Sequence, residues 1–177
     1  MRVIAGTARG RKLVAPVGAT TRPTPERVRE ATFNALGSLD AIVGSQVLDL
    51  FAGSGAMGIE ALSRGAAHVT FVDHDRGAVR AIEANLAACG LAASATVVAT
   101  TVERYFGSTR DRRWDLALID PPYAWDRDAW LDLLDVVPVD LAVLESNRAV
   151  DPPFGWEVVR SKRYGSTHVV IAARRAV

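Results

Sequence analysis

Short apolar runs alternate with amphipathic stretches through the middle of the chain. The runs are rich in Val, Leu, Ile and Phe, which is typical of strands buried on both faces. They cover Gln46–Phe51, His68–Val72, Ala95–Ala99, Asp115–Ile119 and Leu141–Leu144. Between them, apolar residues recur at helical spacing near residues 56–64, 75–88, 102–106 and 127–135. This alternation predicts repeated strand–helix–strand units on a parallel sheet.

The start of the chain has a different pattern. Residues 1–22 mix glycine, proline and basic residues around short β-type runs, which predicts a basic β-hairpin or ordered arm that extends from the main domain. A helix is predicted next, with Thr24 as its N-cap, Pro25 in the first helical position and Gly37 as its stop.

The end of the chain changes again. Trp156–Ser161 and Thr167–Ala173 flank a short polar segment with no helix between them, which predicts an antiparallel hairpin. With the five parallel strands this makes seven. We therefore predict an α/β fold in which residues 1–22 form the extension and residues 23–177 a single globular domain.

Composition and charge narrow the class of protein. The chain has 177 residues, of which 49% are hydrophobic and 23% charged, as expected for one soluble domain. The net charge of +1 argues against a uniformly basic nucleic-acid coat. Residues 1–30 nevertheless carry seven basic and two acidic groups, so the basic charge is concentrated at the N-terminus.

Cysteine and histidine usage excludes several kinds of site. A single cysteine, Cys89, allows neither an internal disulfide nor a cysteine-based zinc site, and the scattered histidines have no metal-ligand spacing. We interpret Cys89 as a structural residue, with a C5-methyltransferase nucleophile as the alternative. The chain has no signal-peptide pattern and no uninterrupted apolar run of membrane-spanning length, so we expect a cytoplasmic protein without metal.

The first predicted strand runs into a glycine-rich loop, Asp49–Gly58. Gly53, Gly55 and Gly58 satisfy the G-x-G-x-x-G pattern, and Asp73 follows at the end of the second strand, where it is suited to bind ribose hydroxyls. These features predict a nucleotide-type cofactor site, with a purely structural tight turn as the alternative. They do not by themselves distinguish NAD from S-adenosylmethionine, although Asp49 before the turn suits a cationic amino acid group.

The fourth predicted strand ends in Asp120-Pro121-Pro122-Tyr123, at the edge of the sheet where open α/β proteins bind ligands. The two prolines suit a rigid turn, but a turn alone leaves Asp120 and Tyr123 unexplained. An exocyclic amine of a nucleobase is a poor nucleophile. The Asp120 carboxylate and the Pro121 carbonyl would orient it and direct its lone pair at a methyl donor, while Tyr123 stacks on the base.

The glycine loop, Asp73 and the Asp120–Tyr123 segment resemble motifs I, II and IV of the amino-methyltransferases, which use S-adenosylmethionine. Arg2–Gly6 with Gly10–Leu13, Arg22–Glu30 and Arg163–Gly165 resemble the RsmD-type family of bacterial 16S ribosomal RNA guanine-N2 methyltransferases. The resemblance implies a Rossmann-like, seven-stranded methyltransferase sheet. It also implies methylation of guanine 966 in 16S rRNA, within the 30S subunit or an assembly intermediate. We expect the protein to be a monomer.

The resemblance also implies roles for individual residues. Catalysis falls to Asp120, Pro121, Pro122 and Tyr123. Cofactor binding falls to Asp49, Phe51, Ala52, Gly53, Ser54, Gly55, Gly58, Asp73, His74, Thr101, Val102, Arg22 and Thr24. This chain has Thr100-Thr101 where relatives often carry an acid that contacts the adenine amine, so the adenine contact is the least defined assignment.

The basic N-terminus is interpreted as an RNA-holding surface, with a solvated face as the alternative. The expected RNA contacts are Arg9, Arg11, Lys12, Arg27, Arg163 and Tyr164. Three other functions remain open: an adenine-N6 DNA methyltransferase with the same catalytic segment, an NAD-dependent oxidoreductase, and a non-catalytic rRNA-binding assembly factor.

Overall fold

The structure is a computed structural model that describes residues 1–16, 25–108, 112–122 and 125–175. In chain order its elements are α1 Glu26–Ser38, β1 Gln46–Leu50, α2 Ala56–Ser63, β2 His68–Asp73, α3 Arg76–Cys89, a 3-10 turn Ala92–Ser94, β3 Ala95–Ala99, α4 Val102–Ser108, β4 Trp114–Ile119, α5 Arg127–Val136, β5 Val139–Ser146, β6 Trp156–Tyr164 and β7 Thr167–Arg174. In these described ranges, no helix has both the length and the apolar character needed to cross a bilayer.

The strands form one seven-stranded sheet in the order β3-β2-β1-β4-β5-β7-β6. Strands β1 to β5 are parallel, and β7 pairs antiparallel with both β5 and β6. The predicted α/β fold and terminal hairpin are therefore confirmed. β6 lies at the edge and runs in the same direction as β5, since both are antiparallel to β7. The carboxyl ends of β1 to β6 thus lie at one edge of the sheet.

The first helix departs from its prediction by one position at each end. Pro25 precedes the helix and is not its first residue, because its ψ of 139° is extended. Gly37 does not stop the helix, which continues to Ser38 and is capped by Leu39. The left-handed residue beyond it is Asp40, with a φ of 52°. Thr24, the predicted N-cap, lies outside the described residues.

Helices cover both faces of the sheet and create two cores. Residues 1–14, which we call the arm, pack with α1, α2 and α3 on one face, the arm face. Helices α4 and α5 pack on the other face, which we call the aromatic face because it buries Trp114, Trp130 and Trp156. Strand residues alternate between the two cores, as the pleat requires.

The arm is part of the arm-face core. Its chain reverses direction as a short antiparallel hairpin. An isolated bridge joins Arg2 to Lys12, and the amides of Val3, Gly10 and Leu13 donate to the carbonyls of Arg11, Val3 and Met1 at 2.9 to 3.0 Å. Val3 and Leu13 are buried in the core and are not part of a detached extension. Gly6 approaches α2 so closely that a Cβ there would lie 1.7 Å from the Ser63 carbonyl oxygen. The arm therefore packs directly on the domain.

Buried polar groups hold the arm in place. The Glu60 carboxylate of α2 accepts hydrogen bonds from the Ile4 and Ala5 amides at 2.8 and 3.0 Å. It also accepts from Arg64 at 2.7 Å and lies 3.7 Å from the fully buried Arg29, whose guanidinium bonds the Arg2 carbonyl. Burial lowers the pKa of Arg29, and the Glu60 carboxylate opposes that shift. One acid thus joins the arm, α1 and α2.

Candidate active site

The glycine-rich loop turns sharply between β1 and α2. Phe51 and Gly53 have φ angles of 58° and 56°, and Gly55, with φ of 74°, precedes the first residue of α2. The Gly55 amide closes the turn on the Ala52 carbonyl at 2.7 Å. Left-handed backbone costs little for glycine, whereas Phe51 adopts it at an energetic cost. Strained non-glycine residues of this kind concentrate at functional sites.

Asp49 is buried beneath this loop. Its side chain is on β1, and its Oδ2 accepts a hydrogen bond from the Gly58 amide at 2.8 Å. The approach requires glycine, because a Cβ at Gly58 would lie 2.3 Å from the Phe71 ring and 2.8 Å from Asp49 Oδ2. Burial raises the pKa of Asp49 well above its ordinary value, and the negative charges of Asp120 and Asp73 raise it further, against the hydrogen bond from Gly58.

Asp73 connects the second strand to the glycine loop. Its Oδ2 accepts from the Gly53 amide at 2.8 Å, and its Oδ1 accepts from the Asp75 amide at 2.9 Å. His74 is mostly exposed, with Nδ1 3.9 Å from Asp73 Oδ1. Asp73 therefore holds the loop in place, a structural role that the motif alone did not reveal, and its predicted contact with a ribose stays a prediction.

The third strand contributes the residues predicted near the adenine. The Thr100 amide donates to the Asp73 carbonyl at 3.0 Å, which brings this turn beside the second strand. Thr101 is half-buried before α4, and its Oγ1 accepts from the Arg104 amide. Val102 is buried in the core of the aromatic face with Leu50, and its side chain is 4% exposed. Their predicted cofactor contacts stay predictions.

Asp120 follows β4 and is exposed at the same edge of the sheet as the glycine loop. Pro121 is buried, and the Pro122 carbonyl accepts from the Trp125 amide at 3.1 Å. Tyr123 lies outside the described residues, as do Arg22 and Thr24. The charge of Asp120 acts on Asp49, so the two predicted motifs lie close enough to influence each other.

A pocket opens beside this segment, which the sequence predicts to be catalytic. It is lined by Pro121, Pro122, Trp125, Trp130, Ser146, Asn147 and Arg148. The Trp125 ring contacts Phe51 edge-on, with ring centres 4.9 Å apart, and so joins the segment after β4 to the glycine loop. Such a pocket has aromatic surface for a flat base and polar groups for its edges.

Sequence reasoning missed the β5 side of this pocket. Ser146, Asn147 and Arg148 lie at and just after the end of β5, and the Arg148 guanidinium donates to the Trp125 carbonyl. These residues could have been predicted, because ligands bind at the carboxyl ends of parallel strands and β5 is one of those strands.

Asn85, on α3, was also missed. Its Oδ1 accepts from the Val14 amide at 2.8 Å, while its Nδ2 donates to the Val14 carbonyl and the Ser54 carbonyl, both at 2.9 Å. The Oγ of Ser54 also lies 3.6 Å from the sulfur of Met1. A single buried amide therefore links the arm to the glycine loop. Nothing in the local sequence distinguishes it from an ordinary helical asparagine.

The residues predicted to bind RNA occupy two separate regions. Arg9, Arg11 and Lys12 are exposed on the arm, whose turn contacts Ser63 at the end of α2 distant from the glycine loop. Arg163 is exposed and Tyr164 half-buried at the end of β6, and Arg27 is exposed in the first turn of α1. These roles stay predictions.

Two other features bear on the chemistry of the site. Cys89 is part-buried at the end of α3, and burial raises the pKa of its thiol, which disfavours the nucleophilic thiolate. Among the described residues, no group of three or more His, Cys, Asp or Glu side chains is arranged to hold a metal ion.

Comparison with known proteins places this geometry in a family. The family described as Conserved hypothetical protein 95 matches residues 1–173. The chain belongs to this family. It is 34% identical to Ribosomal RNA small subunit methyltransferase D of Escherichia coli strain K12, over 99% of this chain and 91% of the relative. The predicted RsmD-type membership is confirmed.

Solved structures agree with the fold. The hypothetical protein TTHA0928 of Thermus thermophilus is 34% identical, with a TM-score of 0.83, over 97% of this chain and 98% of that chain. The protein SMU.776, solved as a complex with SAH, is 19% identical with a TM-score of 0.67, over 83% of this chain and 48% of that chain. The second likeness shows the fold alone. The Rossmann-like methyltransferase fold is thereby confirmed.

Proposed function

We propose that this protein is an S-adenosylmethionine-dependent rRNA methyltransferase that methylates an exocyclic amine of a base. The observation that carries the proposal is the meeting of the Asp120-Pro121-Pro122 segment and the Asp49–Gly58 loop at one edge of the sheet, beside an aromatic-lined pocket. The relatives named as small-subunit rRNA methyltransferases support rRNA as the substrate.

The residues present fit the cofactor. Gly58 leaves no room for a side chain, and the buried Asp49 lies beneath the loop with a raised pKa, which suits a carboxylate that becomes ionised beside a cationic amino group. Asp73 lies at the end of β2, where the ribose of a nucleoside is bound in this class of fold. When bound, S-adenosylmethionine supplies a methyl group activated by a positively charged sulfur.

The protein's contribution to transfer is positioning. The Asp120 carboxylate and the Pro121 carbonyl each accept a hydrogen bond from one N–H of the target amine. The nitrogen lone pair then turns away from the ring plane and toward the methyl donor. Trp125 and the predicted Tyr123 offer faces to a base withdrawn from its stack. Once the amine nitrogen carries the methyl group, its extra proton can pass to the exposed Asp120 carboxylate or to water, so a strong base is not needed before transfer.

The target within this substrate class follows from the RsmD-type resemblance. We propose N2 of a guanine, guanine 966, in 16S rRNA of the small ribosomal subunit, within the 30S subunit or an assembly intermediate. Phosphate contacts from Arg9, Arg11, Lys12 and Arg163 would position that RNA without specifying its sequence.

The test supplies labelled S-adenosylmethionine and, separately, 16S rRNA, small subunits and DNA from cells that lack this gene. Mass spectrometry then identifies the methylated nucleoside. We expect N2-methylguanosine in the ribosomal substrates. If N6-methyladenine appears in DNA instead, the substrate is DNA and the proposed rRNA substrate is wrong. No transfer to any substrate, with RNA still bound, would support a binding factor instead.

A matched pair of variants tests the catalytic segment. We expect Asp120→Asn to reduce methyl transfer by on the order of 100-fold or more, because the negative charge that stabilises the developing positive charge on the amine is replaced by a neutral amide, while RNA binding is retained. Asp115→Asn, at the opposite end of the same strand, is the control. Equal activities of the two variants would contradict the assigned role of Asp120.

The buried acid gives an independent readout. Because burial raises the pKa of Asp49, its carboxyl group must lose a proton before the carboxylate can pair with the cationic amino group of the cofactor. We expect the calorimetric affinity for S-adenosylmethionine to rise with pH, and this rise to be absent in Asp49→Asn. The same pH dependence in both proteins would exclude Asp49 as the group that faces the cation.

A further inference from the structure

A groove lies between α1 and the edge strand β6, on the arm face of the sheet. Ala31 and Ala35 form the helical wall, and Arg160, Lys162 and Tyr164 form the strand wall. The two alanine side chains that face the strand are too small to fill the space between the helix and the strand, so the groove stays open. The hydroxyl of Thr32, also in the lining, is buried without a hydrogen-bond partner in the described structure.

The strand wall is cationic. Arg160 and Lys162 are exposed, and they are two residues apart, so both extend toward the same face of the sheet. In the described ranges neither forms an ion pair; the Lys162 ammonium lies 5.3 Å from the Tyr164 ring centre. Arg27 precedes Ala31 by one helical turn and therefore lies on the same side of α1. The groove thus has positive charge on both walls.

One end of the groove lies at the same edge of the sheet as the candidate active site. β6 runs in the same direction as β4, so Tyr164 at its end and Asp120 after β4 lie at the same edge of the sheet. Three strand spacings separate β4 from β6, or about 14 Å. A nucleic acid whose target base lies beside Asp120, in the pocket bordered by Trp130, would cross the carboxyl edge of the sheet to reach the groove on the arm face.

We propose that this α1–β6 groove binds the RNA chain next to the target nucleotide, with Arg160 and Lys162 on phosphates and Tyr164 against a neighbouring base or ribose. The inference rests on the proposed function and adds a contact surface to it. Unpaired cations beside an aromatic ring are the combination that binds single-stranded nucleic acid. An acidic protein segment has charges but no bases for Tyr164 to contact, so the chemistry favours RNA.

The test measures binding of a 16S rRNA fragment over a series of salt concentrations. The double variant Arg160→Gln, Lys162→Gln removes two phosphate contacts, so we expect weaker binding and a salt slope shallower by about 1.4 to 1.8. The control variant Arg112→Gln, Arg113→Gln makes the same charge change before β4, at the opposite edge of the sheet. It is expected to keep the slope of the unaltered protein.

Tyr164 is tested separately. Tyr164→Leu is expected to bind RNA about ten-fold more weakly, and Tyr164→Phe to retain affinity, because stacking needs the ring and not the hydroxyl. Unfolding curves of both variants check that the hairpin is intact. If the two variants bind RNA equally, Tyr164 has no stacking role.

The outcomes separate this inference from the proposed function. An unchanged salt slope in the double variant overturns the RNA-binding role of the groove, whether or not the variant transfers methyl groups. Weaker binding to small subunits but unchanged binding to free RNA overturns it in favour of a ribosomal protein contact. If the double variant has a reduced salt slope but the unaltered protein transfers no methyl group, the RNA-binding role of the groove is supported and the proposed function fails.

Discussion

The two faces of the sheet are stabilised by different interactions. On the arm face, the charged pair Arg29 and Glu60 and the amide of Asn85 are buried and hydrogen-bonded to the arm and to helices. On the aromatic face, the core is built from Leu, Val, Ala and tryptophan side chains. The comparison shows that buried polar groups on the arm face join the arm to α1, α2 and, through Asn85, to the glycine loop. The aromatic face instead supplies Trp125 and Trp130 to the pocket at the edge of the sheet.

The largest expected effect is the loss of Glu60. Glu60→Ala removes the acceptor of two arm amides and leaves Arg29 buried without its ion-pair partner. We expect the free energy of unfolding to fall by about 3–5 kcal/mol. Urea unfolding measures it, with the exposed Glu83→Ala as a control that changes by less than about 0.5 kcal/mol. Similar values for the two variants would mean that the arm is not held by Glu60.

A cavity in the aromatic face is expected to cost slightly less and to behave differently. Leu134 on α5 is fully buried, and Leu134→Ala should lower the free energy of unfolding by about 2–5 kcal/mol. Because no charge is involved, this cost should be the same at acid and neutral pH. A cost that varies strongly with pH would remove the distinction between the two faces.

Loss of the arm-to-loop link is expected to have an intermediate effect. Asn85→Ala leaves the Val14 amide and two carbonyls without partners, so we expect about 1–3 kcal/mol of lost stability. Because Ser54 is one of those partners, affinity for S-adenosylmethionine should also fall in calorimetric titration. Asn34→Ala, which removes an exposed hydrogen bond to Arg64, is the control. Loss of stability with unchanged affinity would limit Asn85 to a structural role.

The smallest expected effect has the opposite sign. The raised pKa of Asp49 means that its protonated form favours folding at low pH, and that this contribution is lost as pH rises through the folded pKa. Asp49→Asn should therefore become more stable than the unaltered protein as pH rises, while its cofactor affinity falls. Unfolding at several pH values measures this, with the exposed Asp135→Asn as control. A stability difference that does not change with pH would contradict the assignment.

Much of the fold could be predicted from the sequence because the strands are nearly continuous apolar runs. β3 has its predicted bounds, and β1 and β2 differ from theirs by one residue. The bounds of such strands follow from where each run of apolar residues begins and ends, which can be read from the local sequence. The glycine loop and the Asp120 segment could be predicted for a related reason. Their chemistry is contained in short consecutive motifs.

The polar links could not be predicted, because each depends on groups distant in sequence. Glu60 is 55 and 56 residues from the arm amides it accepts from, and Asn85 is 71 residues from Val14. In isolation, both resemble residues on the solvated face of an amphipathic helix. The packing of the arm on the domain could not be predicted for the same reason, because Val3 and Leu13 enter the core and the Ile4 amide donates to Glu60 of α2.

The exposed edge of β6 has a consequence for self-association. Val158 and Val159 are exposed on this strand, and one side of its backbone has no neighbouring strand in the described sheet. Such an edge can pair with the sheet of a second molecule, and charged residues on the edge oppose this pairing. Arg160 directly follows the two valines on the strand, and Lys162 lies two residues further on. We therefore expect that these positive charges also oppose edge-to-edge pairing of two molecules of the protein.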